Sequence, residues 1–109
     1  MLEKEIERRL GKMLESRGCL YLKFESPGNP GVPDRIVILP SGLTIYLELK
    51  TSLGRLSNIQ KWQTGRMKER GADVRVIKGW EQAQEFVREV EGLCDMCRTN
   101  TRLTERTGS

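Results

Sequence analysis

Asp34, Glu48 and Lys50 are the residues whose types and spacing could do chemistry. Pro40-Ser41-Gly42 reads as a turn centred on Ser41, between the apolar runs Asp34–Leu39 and Leu43–Lys50. With that turn Leu39 pairs with Leu43, and the register carries on to set Asp34 opposite Glu48. Opposed residues of an antiparallel pair have Cβ atoms about 4.5–5.5 Å apart on one face. Lys50, two residues further on, shares that face. A bulge in either strand would shift the register by one residue. Two neighbouring carboxylates repel each other, and a divalent cation relieves the repulsion. Oxygen-only ligands without histidine suit Mg²⁺ or Mn²⁺. The lysine adds a fixed positive charge, able to orient an attacking water and to stabilise a phosphorane-like transition state. Ile36, Val37, Ile38, Ile45, Leu47 and Leu49 surround the three, and charges embedded in apolar strands need an explanation that surface charges do not. The plain alternative makes Asp34 a strand-start residue and Glu48 with Lys50 a solvated, alternating edge.

The elements that must position these residues follow from periodicity. Leu2, Ile6, Leu10, Met13 and Leu14 recur at helical spacing over residues 2–17, and Gly18 closes that helix. Residues 19–24 alternate as a strand, and residues 25–33 (ESPGNPGVP) form a rigid, punctuated loop. The strands at 34–39 and 43–50 complete a meander. After a loop at 51–56, Ser57 and Gln60 form a capping box for a helix that runs to about Arg70 and closes at Gly71. A short strand follows over 73–77. Trp80, Ala83, Phe86, Val87 and Val90 mark a last amphipathic helix, with Gly92 as its stop. Residues 93–109 are polar and aperiodic and read as a disordered tail. The order α-β-β-β-α-β-α predicts a mixed sheet flanked by helices.

Composition excludes several classes. The chain has 109 residues, enough for one domain with one modest core. It has no histidine, which removes Ser-His-Asp triads, imidazole acid–base chemistry and His-ligated metals. Three cysteines make an odd count, against a disulfide scaffold and in favour of a reducing, intracellular setting. No run approaches the length of a membrane span, and the N-terminus lacks the apolar core of a signal peptide. The net charge of +4 is compatible with a polyanionic partner.

Pro33-Asp34 followed by Glu48-Leu49-Lys50 resembles the PD-(D/E)xK nuclease signature. The fuller pattern is more specific: Gly31-Val32-Pro33-Asp34-Arg35-Ile36-Val37, a glycine turn at Gly42, Tyr46-Leu47-Glu48-Leu49-Lys50, and Leu56-Ser57 with Gln60. It resembles the VRR-NUC family, which includes stand-alone viral and bacterial nucleases. The resemblance covers nearly all of the ordered chain and implies a restriction-endonuclease-like α/β fold, with residues 1–92 as the nuclease domain. It implies Mg²⁺- or Mn²⁺-dependent hydrolysis of DNA, with Asp34 and Glu48 as metal ligands and Lys50 as the catalytic lysine. A family glutamate on the first helix matches Glu3, with Glu5 and Glu7 as rivals. The family glutamine matches Gln60, which equally serves the capping box. Single-domain members resemble Holliday-junction resolvases, implying a homodimer on branched or junction DNA. The expected setting is cytoplasmic, which includes that of a viral protein acting in a bacterial host.

Residues 50–78 carry eight cations against Glu69 and Asp73, a local excess larger than that of the whole chain. Beside the carboxylates, such a segment could neutralise several phosphates. Arg55, Lys61 and Arg66 in it, with Lys23, Ser26 and Arg35 around the proline-rich loop, are the candidate DNA contacts. A solvated helix face is the bland alternative. A non-catalytic nucleic-acid-binding module on the same fold and a monomeric flap or nicking nuclease are the rival functions. Cys94 and Cys97 form one CxxC, which by itself cannot close a tetrahedral zinc site within one chain; two chains could supply four thiolates or Cys19 could join, and an incidental pair in the tail is the plain reading. Trp62 and Trp80 read as core or dimer-interface residues.

Overall fold

The computed structural model describes the backbone of residues 1–106 and the side chains of residues 1–95. Its elements are α1 (Glu3–Glu15), β1 (Leu20–Lys23), β2 (Arg35–Ile38), β3 (Thr44–Lys50), α2 (Asn58–Glu69), β4 (Val74–Lys78) and α3 (Gly79–Arg106). The sequence of elements is the expected one. The sheet order is β1-β2-β3-β4. The first three strands form an antiparallel meander, and β4 joins β3 in parallel through the α2 crossover. The sheet is therefore mixed.

Strand alternation gives the sheet two unlike faces. Val37, Leu39, Ile45, Leu47, Leu49 and Ile77 point to the main core. There they meet Ile6, Leu10 and Leu14 of α1 and Ala83, Phe86, Val87 and Val90 of α3. Helix α1 comes close at Gly11, where a Cβ would stand 2.7 Å from the Tyr21 ring. The opposite face carries Leu20, Leu22, Ile36, Ile38, Tyr46, Glu48 and Lys50, by the same alternation.

Helix α2 starts at a complete capping box. The Gln60 amide N–H donates to Ser57 Oγ at 3.3 Å, and the Ser57 N–H donates to Gln60 Oε1 at 2.9 Å. Helix α3 differs from expectation, because it passes through Gly92 instead of stopping there. Leu93 and Cys94 pack on the core beyond the glycine, and that burial outweighs the local stop signal. Cys94 thus sits in the core beside Cys19 rather than in a tail. The side chains of 96–109, Cys97 among them, lie outside the described residues. Among the described residues no helix is long and apolar enough to cross a membrane.

Candidate active site

The β2–β3 register pairs Ile38 with Thr44 and Arg35 with Leu47. One further step sets Asp34 opposite Glu48, as the turn length predicts. Asp34 is held in the sheet because its carbonyl accepts the Phe24 N–H at 2.8 Å. The preceding Pro33 is fully buried. Gly31 has φ +89°, and a Cβ there would stand 2.5 Å from the Ile59 carbonyl oxygen. Only glycine combines that backbone conformation with that approach, so Gly31 seats the loop against the first turn of α2.

Glu48 is 1% exposed, and its Oε1 has no hydrogen-bond partner. Its Oε2 lies 3.8 Å from Lys50 Nζ. Burial first, and then the neighbouring Asp34, push the carboxyl up to about 8 against the lowering effect of Lys50. Glu3 adds a smaller upward push, so its charge reaches the site from the start of α1. The rivals on that helix are engaged elsewhere. Glu5 pairs with Arg9 at 2.9 Å, and Glu7 pairs with Arg35. Lys50 is overlain by the 51–56 loop, where a Cβ on Gly54 would stand 3.0 Å from the lysine Cβ.

The structure thus brings Asp34, Glu48 and Lys50 together on one face. Among the described residues no group of three His, Cys, Asp or Glu side chains converges tightly enough to ligate a metal. The donor set is two carboxylates, one with an orphaned buried oxygen. That fits a hard divalent cation completing its shell with water and substrate oxygens. Gln60 is occupied in the capping box at the edge of the site.

The basic candidates divide. Arg55 and Lys61 line a concavity of about 390 Å³ with Leu56, Val76 and Lys78. Lys78 pairs in register with Lys50, so it stands on the active face. In the sequence Lys78 belongs only to a charge run, because a parallel, non-local pairing leaves no local signal. Arg66 lies over the Trp62 ring at 4.4 Å and donates to Gln63 at 3.1 Å. Lys23 pairs with Glu25 at 3.1 Å, and Ser26 Oγ accepts from Asn29 at 3.0 Å. Arg35 points away from the carboxylates. It bonds Glu7 and stacks 4.6 Å over Tyr21. Trp62 is 55% exposed, whereas Trp80 packs on the core.

No family model matches the chain. A stretch of 48 residues is 46% identical to the protein named "Putative nuclease p44" of Acyrthosiphon pisum secondary endosymbiont phage 1. It covers 44% of this chain and 52% of that protein, so the chain spans about half the length of the curated relative. A solved structure described as a VRR_NUC domain aligns with a TM-score of 0.75 at 28% identity. The alignment covers 79% of this chain and 94% of that one.

Proposed function

We propose that the chain, which is similar in structure to a VRR_NUC domain and over 48 residues to a phage protein named as a nuclease, is a Mg²⁺- or Mn²⁺-dependent DNA endonuclease, selective for branched or junction substrates and active as a homodimer. The observation that carries this reading is the buried Glu48 carboxylate, with one oxygen unpaired, opposite Asp34 and 3.8 Å from Lys50. A fold retains such a group at a cost in stability, and active sites are where that cost is met.

Asp34 and Glu48 would hold the cation through carboxylate oxygens, with Glu3 adding negative charge. When bound, a divalent cation supplies charge neutralisation and acidifies its water. Lys50 Nζ keeps a positive charge where phosphate oxygens gain negative charge. Gln60 is a positioning residue, fixing the turn that follows the 51–56 loop. Arg55, Lys61 and Arg66, joined by Lys78, neutralise phosphates on either side of the cut. Ser26 contacts the backbone from the 25–33 loop, whereas Lys23, at the end of β1, pairs in register with Arg35 and faces away from the carboxylates with it. Arg35 is committed to Glu7 and supports the sheet. The homodimer reading rests on the active face, where Leu20 and Leu22 are 55% and 43% exposed beside Ile36 and Ile38. A strip of this kind suits a self-complementary contact.

The test is cleavage of labelled four-way junction, flap, single-stranded and plain duplex DNA with Mg²⁺, Mn²⁺ or EDTA. Asp34→Ala should abolish metal-dependent cutting, and Lys50→Ala should slow it by about 10²–10³-fold. DNA binding without cutting by the intact protein, in either metal, would overturn the enzyme reading and favour the binding module.

A further inference from the structure

We propose that the cavity between the 25–33 loop and α2 takes one unpaired nucleobase of the DNA, next to the phosphate to be cut. The inference rests on the nuclease reading above and adds what the site recognises. The cavity holds about 240 Å³. Phe24, Val32 and Met67 supply aromatic and apolar walls, suited to the faces of a flat ring. The Asn29 amide nitrogen is held by Ser26 and the Gln63 carbonyl by Arg66, which leaves the Asn29 Oδ1 acceptor and the Gln63 Nε2 donor to meet the ring's polar edge. Arg66 and Arg70 bring two guanidinium groups to the lining, and no carboxylate lines it. A cavity with aromatic and apolar lining, amide groups and two guanidinium groups suits a base carrying its phosphate. It does not suit a cation or an acidic metabolite without a ring.

The placement ties the cavity to the carboxylates. Phe24 donates its N–H to the Asp34 carbonyl at 2.8 Å, and Val32 lies two residues before Asp34. The Phe24 ring meets that of Tyr46 at 5.7 Å between centroids. Tyr46 shares a face with Glu48 two residues away, about 7 Å along the strand. Phe24 itself stands opposite Asp34, one step beyond the Lys23–Arg35 pair, so the cavity wall is one strand spacing, about 5 Å, from that carboxylate. Arg66 also lies over Trp62, which gives the rim a second, exposed stacking surface. A paired base inside a duplex cannot present its face to such a cavity, whereas an unpaired one stacks on aromatic and guanidinium planes at little cost. The cavity thereby gives the enzyme a physical reason to prefer branch points and unpaired ends.

The test is an abasic scan on a flap or junction oligonucleotide. One unpaired nucleotide at a time near the cut is replaced by an abasic residue. Affinity is read by anisotropy in EDTA and cleavage rate in Mg²⁺. At one position, loss of the base should weaken binding by about tenfold, the worth of one base–aromatic stack. Met67→Trp fills the cavity and should make the normal and abasic oligonucleotides bind alike. Phe24→Leu, a milder change, should reduce the difference. A flat scan with the unaltered protein overturns the proposal, as does a folded Met67→Trp protein that still discriminates. Because binding is read without metal, absent cleavage with a stepped scan would fail the nuclease reading alone. Cleavage with a flat scan would fail the cavity alone.

Discussion

Burial of the Glu48 carboxylate weakens the fold in a pH-dependent way. The folded protein holds the Glu48 proton up to about pH 8, whereas the unfolded chain releases it near 4.5. Between those values the unfolded state binds fewer protons, so stability falls as pH rises through the window. Thermal melts in EDTA should show the native protein losing Tm from pH 5 to pH 8 relative to Glu48→Gln, which lacks the titrating group. Saturating Mg²⁺ at pH 8 should return stability to the native protein and little to the variant. Parallel Tm profiles for the two proteins would sink this account. At this scale the pairing of Asp34 with Glu48 was legible, because a three-residue turn sets the register and neither strand carries the bulge that would shift it. The choice among Glu3, Glu5 and Glu7 was not legible. Helical phase at a first turn does not reveal that Arg9 and Arg35 occupy two of them.

Among the elements, the loop before β2 and the first turn of α2 behave as one unit joined at Gly31. Gly31→Ala would force a left-handed backbone on alanine and drive its methyl into the Ile59 carbonyl, 2.5 Å away. Gly28 provides the control, since its φ is +80° but nothing lies within 4 Å of its missing Cβ. Urea denaturation should show Gly31→Ala costing on the order of 1–3 kcal/mol more than Gly28→Ala, with cleavage reduced in the former. Equal costs would mean that the contact is slack. The capping box of α2 was legible because its partners are three residues apart and local. The end of α3 was not, because Gly92 signals a stop locally while Leu93 and Cys94 find core contacts that only the folded chain supplies.

For the whole molecule, the two sheet faces divide the labour. One is sealed by α1 and α3 and carries the core. The other holds Glu48 and Lys50, with the leucine strip near one edge. Leu22→Glu places a charge on the strip without touching the core. Sedimentation equilibrium should show the native protein as a dimer and Leu22→Glu as a monomer with an unchanged melting profile when diluted. A native protein that is monomeric at high concentration would remove the strip from the assembly. The order of elements was legible in the sequence, but which helix seals which face was not, since amphipathic helices do not name the surface they bury. The parallel β3–β4 pairing has a kinetic consequence. The β1–β3 meander closes over short loops, whereas β4 reaches β3 only after α2 has formed and crossed over. Glu48 lies on the strand that receives this late, non-local partner, opposite Val76. Contact order therefore places the burial of this carboxylate with the slow, non-local pairing rather than with the meander.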